Sequence, residues 1–91
     1  MKVKELYTDP SKWTKNAFAR TKDGTPCYSS NPDAFSFCLS GAVGFCYIDN
    51  LDEQAEAFTK LKRKIFSVWN WNDHPDRTFD EVKQLVNELD I

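Results

Sequence analysis

The prolines and glycines divide this sequence into short segments, and their positions constrain the fold more than any other feature. Asp9-Pro10 is typical of a helix cap followed by proline at the first helical position, and it predicts a short turn through Trp13. Asn31-Pro32 repeats the pattern and predicts that a longer helix begins at this point.

A tight-turn signal, Asp23-Gly24, lies between residues 17–21 and 25–28. An Asp-Gly pair with such flanks favours a hairpin, because these residues tolerate the positive φ angles of a tight turn. The sequence therefore predicts a short β-hairpin or an extended segment near the N-terminus.

Residues 32–47 have the periodicity of a helix. Small and apolar residues recur there at helical spacing: Ala34, Phe37, Cys38, Gly41, Ala42 and Phe45. Each glycine inside a helix costs up to about 1 kcal/mol relative to alanine. We therefore expect another element to pack closely against this helix near Gly41, Ala42 and Gly44.

Two further helices are predicted, at residues 51–66 and 79–89. The first has an apolar face formed by Leu51, Ala55, Phe58, Leu61, Ile65 and Phe66. The second begins at a capping box formed by Thr78 and Glu81. Residues 67–77 lack a clear periodicity and are predicted to form an irregular loop.

Size and charge exclude several classes of protein. The 91 residues (10.5 kDa) predict one mainly α domain over residues 1–91, with three helices and a short N-terminal hairpin or extended segment. No apolar run is long enough for a membrane span or typical of a signal peptide.

The net charge of −2 disfavours a nucleic-acid partner. The one basic cluster is interpreted as a solvated helix face: Lys60, Lys62, Arg63 and Lys64.

The cysteines predict a cytoplasmic protein, in the host cytoplasm if it is phage-encoded. Cys27, Cys38 and Cys46 form an odd set without a signal sequence, which fits reduced thiols. Their spacing does not match a zinc site, and no cofactor-binding motif is present. Cys38 with His74 and Asp73 would provide a nucleophile and a base, but its position on the apolar helix face favours a buried packing residue. The sequence therefore favours a protein without catalytic activity.

The segment from Trp69 to Arg77 concentrates residue types that are common in binding sites. We predict that this loop forms a recognition surface together with Arg20, in which Asp73 orients a guanidinium and two indoles form an apolar floor. The candidate residues are Arg20, Trp69, Trp71, Asn72, Asp73, His74 and Arg77. The competing interpretation is a structural turn whose polar side chains bind backbone amides and whose indoles are buried.

Four segments resemble, in order and spacing, a family of small bacterial and phage proteins that is known only as a domain of unknown function. They are Trp13 with Ala19-Arg20, the Asp23-Gly24 turn, the stretch Phe37-Cys38-Leu39-Ser40-Gly41-Ala42-Val43, and the stretch Trp71-Asn72-Asp73-His74-Pro75-Asp76-Arg77-Thr78 with Glu81-Val82. The resemblance covers residues 8–89 and implies a fold and a bacterial or phage origin, but no activity.

The chain departs from the family pattern at three places. Phe37 stands where the family usually has Trp, and Asp76 stands where it usually has Gly. Many members have a longer N-terminal helix than residues 1–7 can form. The shorter N-terminus predicts an uncovered apolar face on the helical bundle.

These observations support hypotheses from different functional classes. The first is a non-catalytic interaction module that binds a protein partner. The alternative is a small-molecule or nucleotide-like ligand binder or compact hydrolase that uses Arg20, Asp73, His74 and Arg77. A pocket that holds all four groups would favour the alternative, whereas an apolar patch would favour the module. A third hypothesis is a homo-oligomer that buries the uncovered apolar face.

Overall fold

The computed structural model describes all residues from Met1 to Ile91 and has more elements than the sequence predicts. The α-helices are α1 (Val3–Leu6), α2 (Leu39–Cys46), α3 (Leu51–Ile65), α4 (Val68–Asn72) and α5 (Phe79–Leu89), with a 3₁₀ turn at Pro10–Lys12. The strands are β1 (Ala19–Thr21), β2 (Pro26–Cys27) and β3 (Ala34–Phe37). The predicted mainly α, three-helix arrangement is therefore wrong: five α-helices and the 3₁₀ turn make 51% of the chain helical, beside a three-stranded antiparallel sheet.

A hairpin is present at the predicted turn. β1 pairs with β2 in antiparallel register, with Ala19 opposite Cys27, and Gly24 adopts a φ of 92° in the turn. β1 also pairs with β3, with Ala19 opposite Phe37, so the sheet order is β2-β1-β3.

The predicted helix over residues 32–47 is wrong in its first part, because residues 34–37 form β3. Phe35 and Phe37 are aromatic residues of the kind enriched in strands, and pairing with β1 outweighs the helical spacing that the segment also has. α2 begins only after Cys38, whose Sγ accepts a hydrogen bond from the Gly41 amide at 3.3 Å. Cys38 is therefore the N-cap of α2 rather than a residue in its middle.

The expected close approach to α2 occurs at Gly41. A Cβ atom at this position would overlap the backbone carbonyl of Phe18, which accepts a hydrogen bond from the Cys38 amide at 3.1 Å. The glycine therefore lets the chain that enters β1 cross the first turn of α2. At Gly44 a Cβ atom would be in ordinary contact with Ser29.

α3 and α5 form as predicted, and each has a side-chain cap. Asn50 caps α3 by accepting a hydrogen bond from the Glu53 amide at 3.1 Å. At α5 the hydroxyl of Thr78 accepts from the Glu81 amide at 3.3 Å, and Glu81 Oε1 accepts from the Thr78 amide at 3.0 Å. The sequence signals for these two helices were sufficient, because amphipathic spacing and capping residues agree.

The predicted irregular loop at residues 67–77 is wrong over Val68–Asn72, which form α4. Ser67 caps this short helix by accepting from the Asn70 amide at 3.3 Å. Val68 and Asn72 are buried where α4 packs against α2 and α3. A five-residue helix has little stability of its own, so packing decides its structure.

The core lies between the helices and one face of the sheet. Its fully buried members include Tyr7, Phe37, Leu39, Val43, Leu61, Val82 and Val86. The short α1 packs against α2 and α5, with Val3 and Tyr7 fully buried. One helical turn therefore covers apolar surface of α2 and α5 at the N-terminus. No helix has the length and apolarity needed to cross a membrane.

Candidate functional site

Asn72, one of the predicted binding residues, is fully buried and links three segments of the chain. Its Oδ1 accepts hydrogen bonds from Trp13 Nε1 at 2.8 Å and from the Leu39 amide at 3.1 Å. Its Nδ2 donates to the carbonyl oxygen of Thr14 at 3.1 Å and to Asp73 Oδ1 at 2.9 Å. Every polar atom of this side chain is satisfied inside the protein, so none is available to a ligand.

Asp73 and His74 hold the segment that follows Trp13. Asp73 Oδ1 accepts from the Asn16 amide at 3.0 Å, and Lys15 Nζ donates to the His74 carbonyl oxygen at 2.7 Å. The imidazole of His74 is exposed, and its Nδ1 accepts from the Asp76 amide at 3.1 Å. Asp73 therefore orients backbone rather than either of the two guanidinium groups that the sequence suggested.

The two predicted arginines are also engaged by the chain itself. The Arg77 guanidinium lies 3.9 Å from the ring centroid of Trp71, donates to the Trp71 carbonyl oxygen at 2.8 Å and pairs with Glu81 at 3.0 Å. Arg20 donates to Thr14, Gly24 and Lys15 at 2.9 to 3.2 Å. None of the four main cavities is lined by both arginines together with Asp73 and His74.

Trp69 is the predicted residue that lies on an exposed apolar surface. Its ring packs edge-on against Phe18, with centroids 4.9 Å apart, and Phe18 in turn lies 6.4 Å from the ring of Tyr28. These rings and that of Phe66 are all exposed to solvent: Phe18 42%, Tyr28 75%, Phe66 91% and Trp69 38%. We call these four residues the aromatic surface.

Phe66 has an unusual backbone conformation. Its φ of 65° and ψ of −73° place it at the centre of a γ-turn in which the Ser67 amide donates to the Ile65 carbonyl oxygen at 2.8 Å. This form of the turn is rare and strained, and a bulky residue at positive φ costs about 1–2 kcal/mol. The turn ends α3 and directs the Phe66 ring into solvent instead of onto the apolar face of that helix, where the sequence suggested it would lie.

A groove of about 540 Å³ lies beside Trp69 and Phe66. It is lined by Phe18, Ser40, Phe58, Lys62, Phe66, Ser67, Val68 and Trp69. Its volume is within the range of about 300–1,000 Å³ that is typical of binding sites. Lys62 is the one ionisable side chain in the lining.

Cys38 is not poised as a nucleophile, although it lies at a helix N-terminus. Its side chain is buried, and burial raises the pKa of the thiol despite the Gly41 and Ser40 amides that face the sulfur. A thiol whose pKa is raised is less reactive than an exposed one. No group of three His, Cys, Asp or Glu side chains is close enough to hold a metal ion.

Sequence reasoning missed Phe18, Tyr28 and Phe66 as surface residues. Phe66 fits the apolar helical spacing of α3, and no glycine or asparagine marks the turn that exposes it. Phe18 and Tyr28 lie within the predicted hairpin and directly flank the observed strands β1 and β2. Their proximity to Trp69 depends on how the chain that enters β1 crosses α2, and no local sequence pattern indicates this crossing.

Comparison with known proteins places the chain in a family. The profile of a family of unknown function (DUF6197) matches residues 4–89, and the chain belongs to that family. This match confirms the resemblance to a family of unknown function that the motifs indicated. No curated protein and no solved structure matches the chain.

Proposed function

We propose that this member of the family is a non-catalytic interaction module that binds a protein partner through the aromatic surface. The observation that carries the proposal is Phe66, which exposes 91% of its surface in a strained γ-turn beside the groove. Backbone strain is tolerated where the surrounding structure imposes it, and it clusters at functional sites. The turn keeps the large apolar ring of Phe66 exposed to water, where a partner can contact it.

The composition of the surface supports a protein partner. Aromatic residues are enriched in protein interfaces because they bury a large apolar area at a small loss of side-chain entropy. Phe18 packs between Trp69 and Tyr28, so that the three rings form a row, and Phe66 lines the same groove as Phe18 and Trp69. Trp69 belongs to α4, which the buried Asn72 fixes to the rest of the fold.

The alternative is a small-molecule or nucleotide-like ligand binder or a compact hydrolase, and it has less support. It needs Arg20, Asp73, His74 and Arg77 to converge on one cavity, and each of the four side chains is instead engaged in hydrogen bonds within the chain. The apolar groove contains none of them.

The proposed setting of the module is the cytoplasm. All three cysteines are free thiols, which fits a reducing compartment. The bacterial or phage origin implied by the motifs stays a prediction.

The proposal is tested by selecting short random peptides, displayed on a carrier, against the immobilised protein. We expect peptides that bind the wild type, shift the backbone NMR signals of Phe18, Phe66 and Trp69, and lose binding to the Phe66→Ser variant. Phe66 is so exposed that this substitution leaves the core intact.

The matched control is Leu51→Ser, which removes another exposed apolar side chain, 71% exposed, outside the groove. It should keep the peptide affinity of the wild type. A selection that enriches no peptide, or enriched peptides that bind Phe66→Ser as tightly as the wild type, would show that the aromatic surface is not a binding site.

A further inference from the structure

We infer that the groove beside Trp69 takes a peptide segment that carries a large apolar side chain next to carboxylate groups, and this inference rests on the function proposed above. The apolar part of such a segment would contact Phe58, Phe66 and Trp69. Its carboxylates would reach Lys62 at the edge of the groove.

The charge of the groove is the first reason. Lys62 lines it, and none of the chain's 14 acidic residues does. This local positive charge is not a consequence of composition, because the net charge of the chain is −2. Complementary charge at the rim of an interface selects partners and orients their approach, so an acidic partner is favoured over a basic one.

The pairing of the neighbouring cations is the second reason. Lys60 pairs with Glu56 at 3.9 Å and Lys64 pairs with Glu88 at 3.3 Å. Lys62 and the adjacent Arg63 are exposed, and neither forms an ion pair. Lys62 therefore lines the groove without an acidic partner in its own chain.

The walls of the groove are the third reason. Five of its eight lining residues are hydrophobic, and the serines Ser40 and Ser67 are small and uncharged. An apolar side chain that enters displaces water and lowers the dielectric constant around Lys62, which strengthens an ion pair at the rim. The apolar contact and the charged contact therefore reinforce each other only in a segment that has both.

A single-stranded nucleic acid is the competing occupant, since bases stack on exposed aromatic rings. Its affinity depends on several cations that follow the phosphate backbone. The groove has only Lys62, so the observations favour an acidic peptide.

The test is a charge exchange measured by fluorescence anisotropy on the full chain. The probes are a labelled peptide with a Phe-Trp pair flanked by Asp and Glu, the same peptide with Lys in place of each acid, and a labelled oligothymidylate. The wild type should bind the acidic peptide about tenfold more tightly than the basic one, as expected for a favourable charge contact that becomes a repulsive one. Lys62→Glu should reverse the preference, and Lys62→Gln should abolish it.

The control is Lys64→Glu, which makes the same charge change two residues away on a side chain outside the groove, and it should keep the wild-type preference. Equal binding of both peptides, no binding of either, tighter binding of oligothymidylate, or an unchanged preference in Lys62→Glu would overturn the inference. If the displayed-peptide selection yields neutral or basic peptides that contact the aromatic surface, the interaction function stands and only this partner chemistry fails. If no selected peptide contacts that surface, both fail.

Discussion

The indole nitrogen of Trp13 donates a hydrogen bond of 2.8 Å to Oδ1 of Asn72, and this contact joins the N-terminal segment to α4 inside the protein. The same oxygen also accepts from the Leu39 amide. One buried side chain therefore holds the entry of α2, the chain before β1 and the helix that carries Trp69.

Asn72→Ala should destabilise the protein by about 3 kcal/mol. The substitution leaves the Trp13 indole, the Leu39 amide and the Thr14 carbonyl without their partner, and each unsatisfied buried group costs about 1–3 kcal/mol. Urea denaturation measures the change. Asn70→Ala, on the exposed side of the same helix, should stay within about 0.5 kcal/mol of wild type. Equal stabilities of the two variants would contradict the assigned role of Asn72.

Phe66→Gly should be more stable than Phe66→Ala by about 1 kcal/mol, which is the opposite of the usual order of these residues inside a helix. Both changes remove the exposed ring, but only glycine adopts the positive φ of this γ-turn without strain. Thermal unfolding of the two variants measures the difference. If alanine is the more stable, the turn is not strained as described. Both variants should lose peptide binding.

Two glycines in one helix should respond in opposite directions. Gly41→Ala places a Cβ atom against the Phe18 carbonyl and should cost about 1–3 kcal/mol. Gly44→Ala meets only an ordinary contact and should stabilise α2 by up to about 1 kcal/mol through helix propensity. Calorimetry on both variants checks the pair. A melting temperature that is unchanged by Gly41→Ala would contradict the close approach of the Phe18 backbone to Gly41.

Part of the stability should be lost in acid through Asp90. Hydrogen bonds and charge pairing with Lys2 and Lys4 lower the pKa of Asp90 from 3.8 to about 2. Because the folded-state pKa is the lower one, the contribution is fully present above pH 4 and disappears as the pH falls toward 2. The effect on stability is small because Asp90 and the two lysines are exposed to solvent.

Asp90→Asn should therefore lower stability at pH 7 slightly and reduce its dependence on pH between about 4 and 2. Chemical denaturation across this range measures both. Asp33→Asn, an exposed aspartate outside every ion pair, is the control and should retain the wild-type profile. Identical profiles of Asp90→Asn and wild type would show that the two lysines do not stabilise Asp90.

The parts of the fold that the sequence predicted are those with local signals that agree. α3 and α5 combine amphipathic spacing with caps at Asn50 and Thr78, and the hairpin has an Asp-Gly turn. β3 was missed because residues 34–37 fit two periodicities, and pairing with the distant β1 decides between them. α4 was missed because its stability comes from the burial of Val68 and Asn72 rather than from helix propensity.

The candidate site was predictable only in part for a similar reason. Trp69 was identified by residue type, and it lies on the exposed aromatic surface. Asn72, Asp73 and Arg77 are also of residue types that are common in binding sites, but hydrogen bonds within the fold occupy their side chains. Residue type indicates which side chains are suited to binding, whereas exposure is decided by contacts between distant segments.

The hydrogen bonds of Asn72 also have a consequence for the order of folding. They connect residues that are 33 and 59 positions apart, and contacts of such separation form late because they require closure of long loops. α4 should therefore reach its final position after the hairpin and α3 have formed, and Asn72→Ala should accelerate unfolding while leaving the refolding rate nearly unchanged. Stopped-flow kinetics measure both rates. If the Asn72 side chain belonged to the folding nucleus, the substitution would instead slow refolding and leave the unfolding rate nearly unchanged. With late closure of α4, the Trp69 ring reaches the ring of Phe18, 51 positions away in the chain, only in fully folded molecules, so the proposed partner would bind the folded protein and not its intermediates.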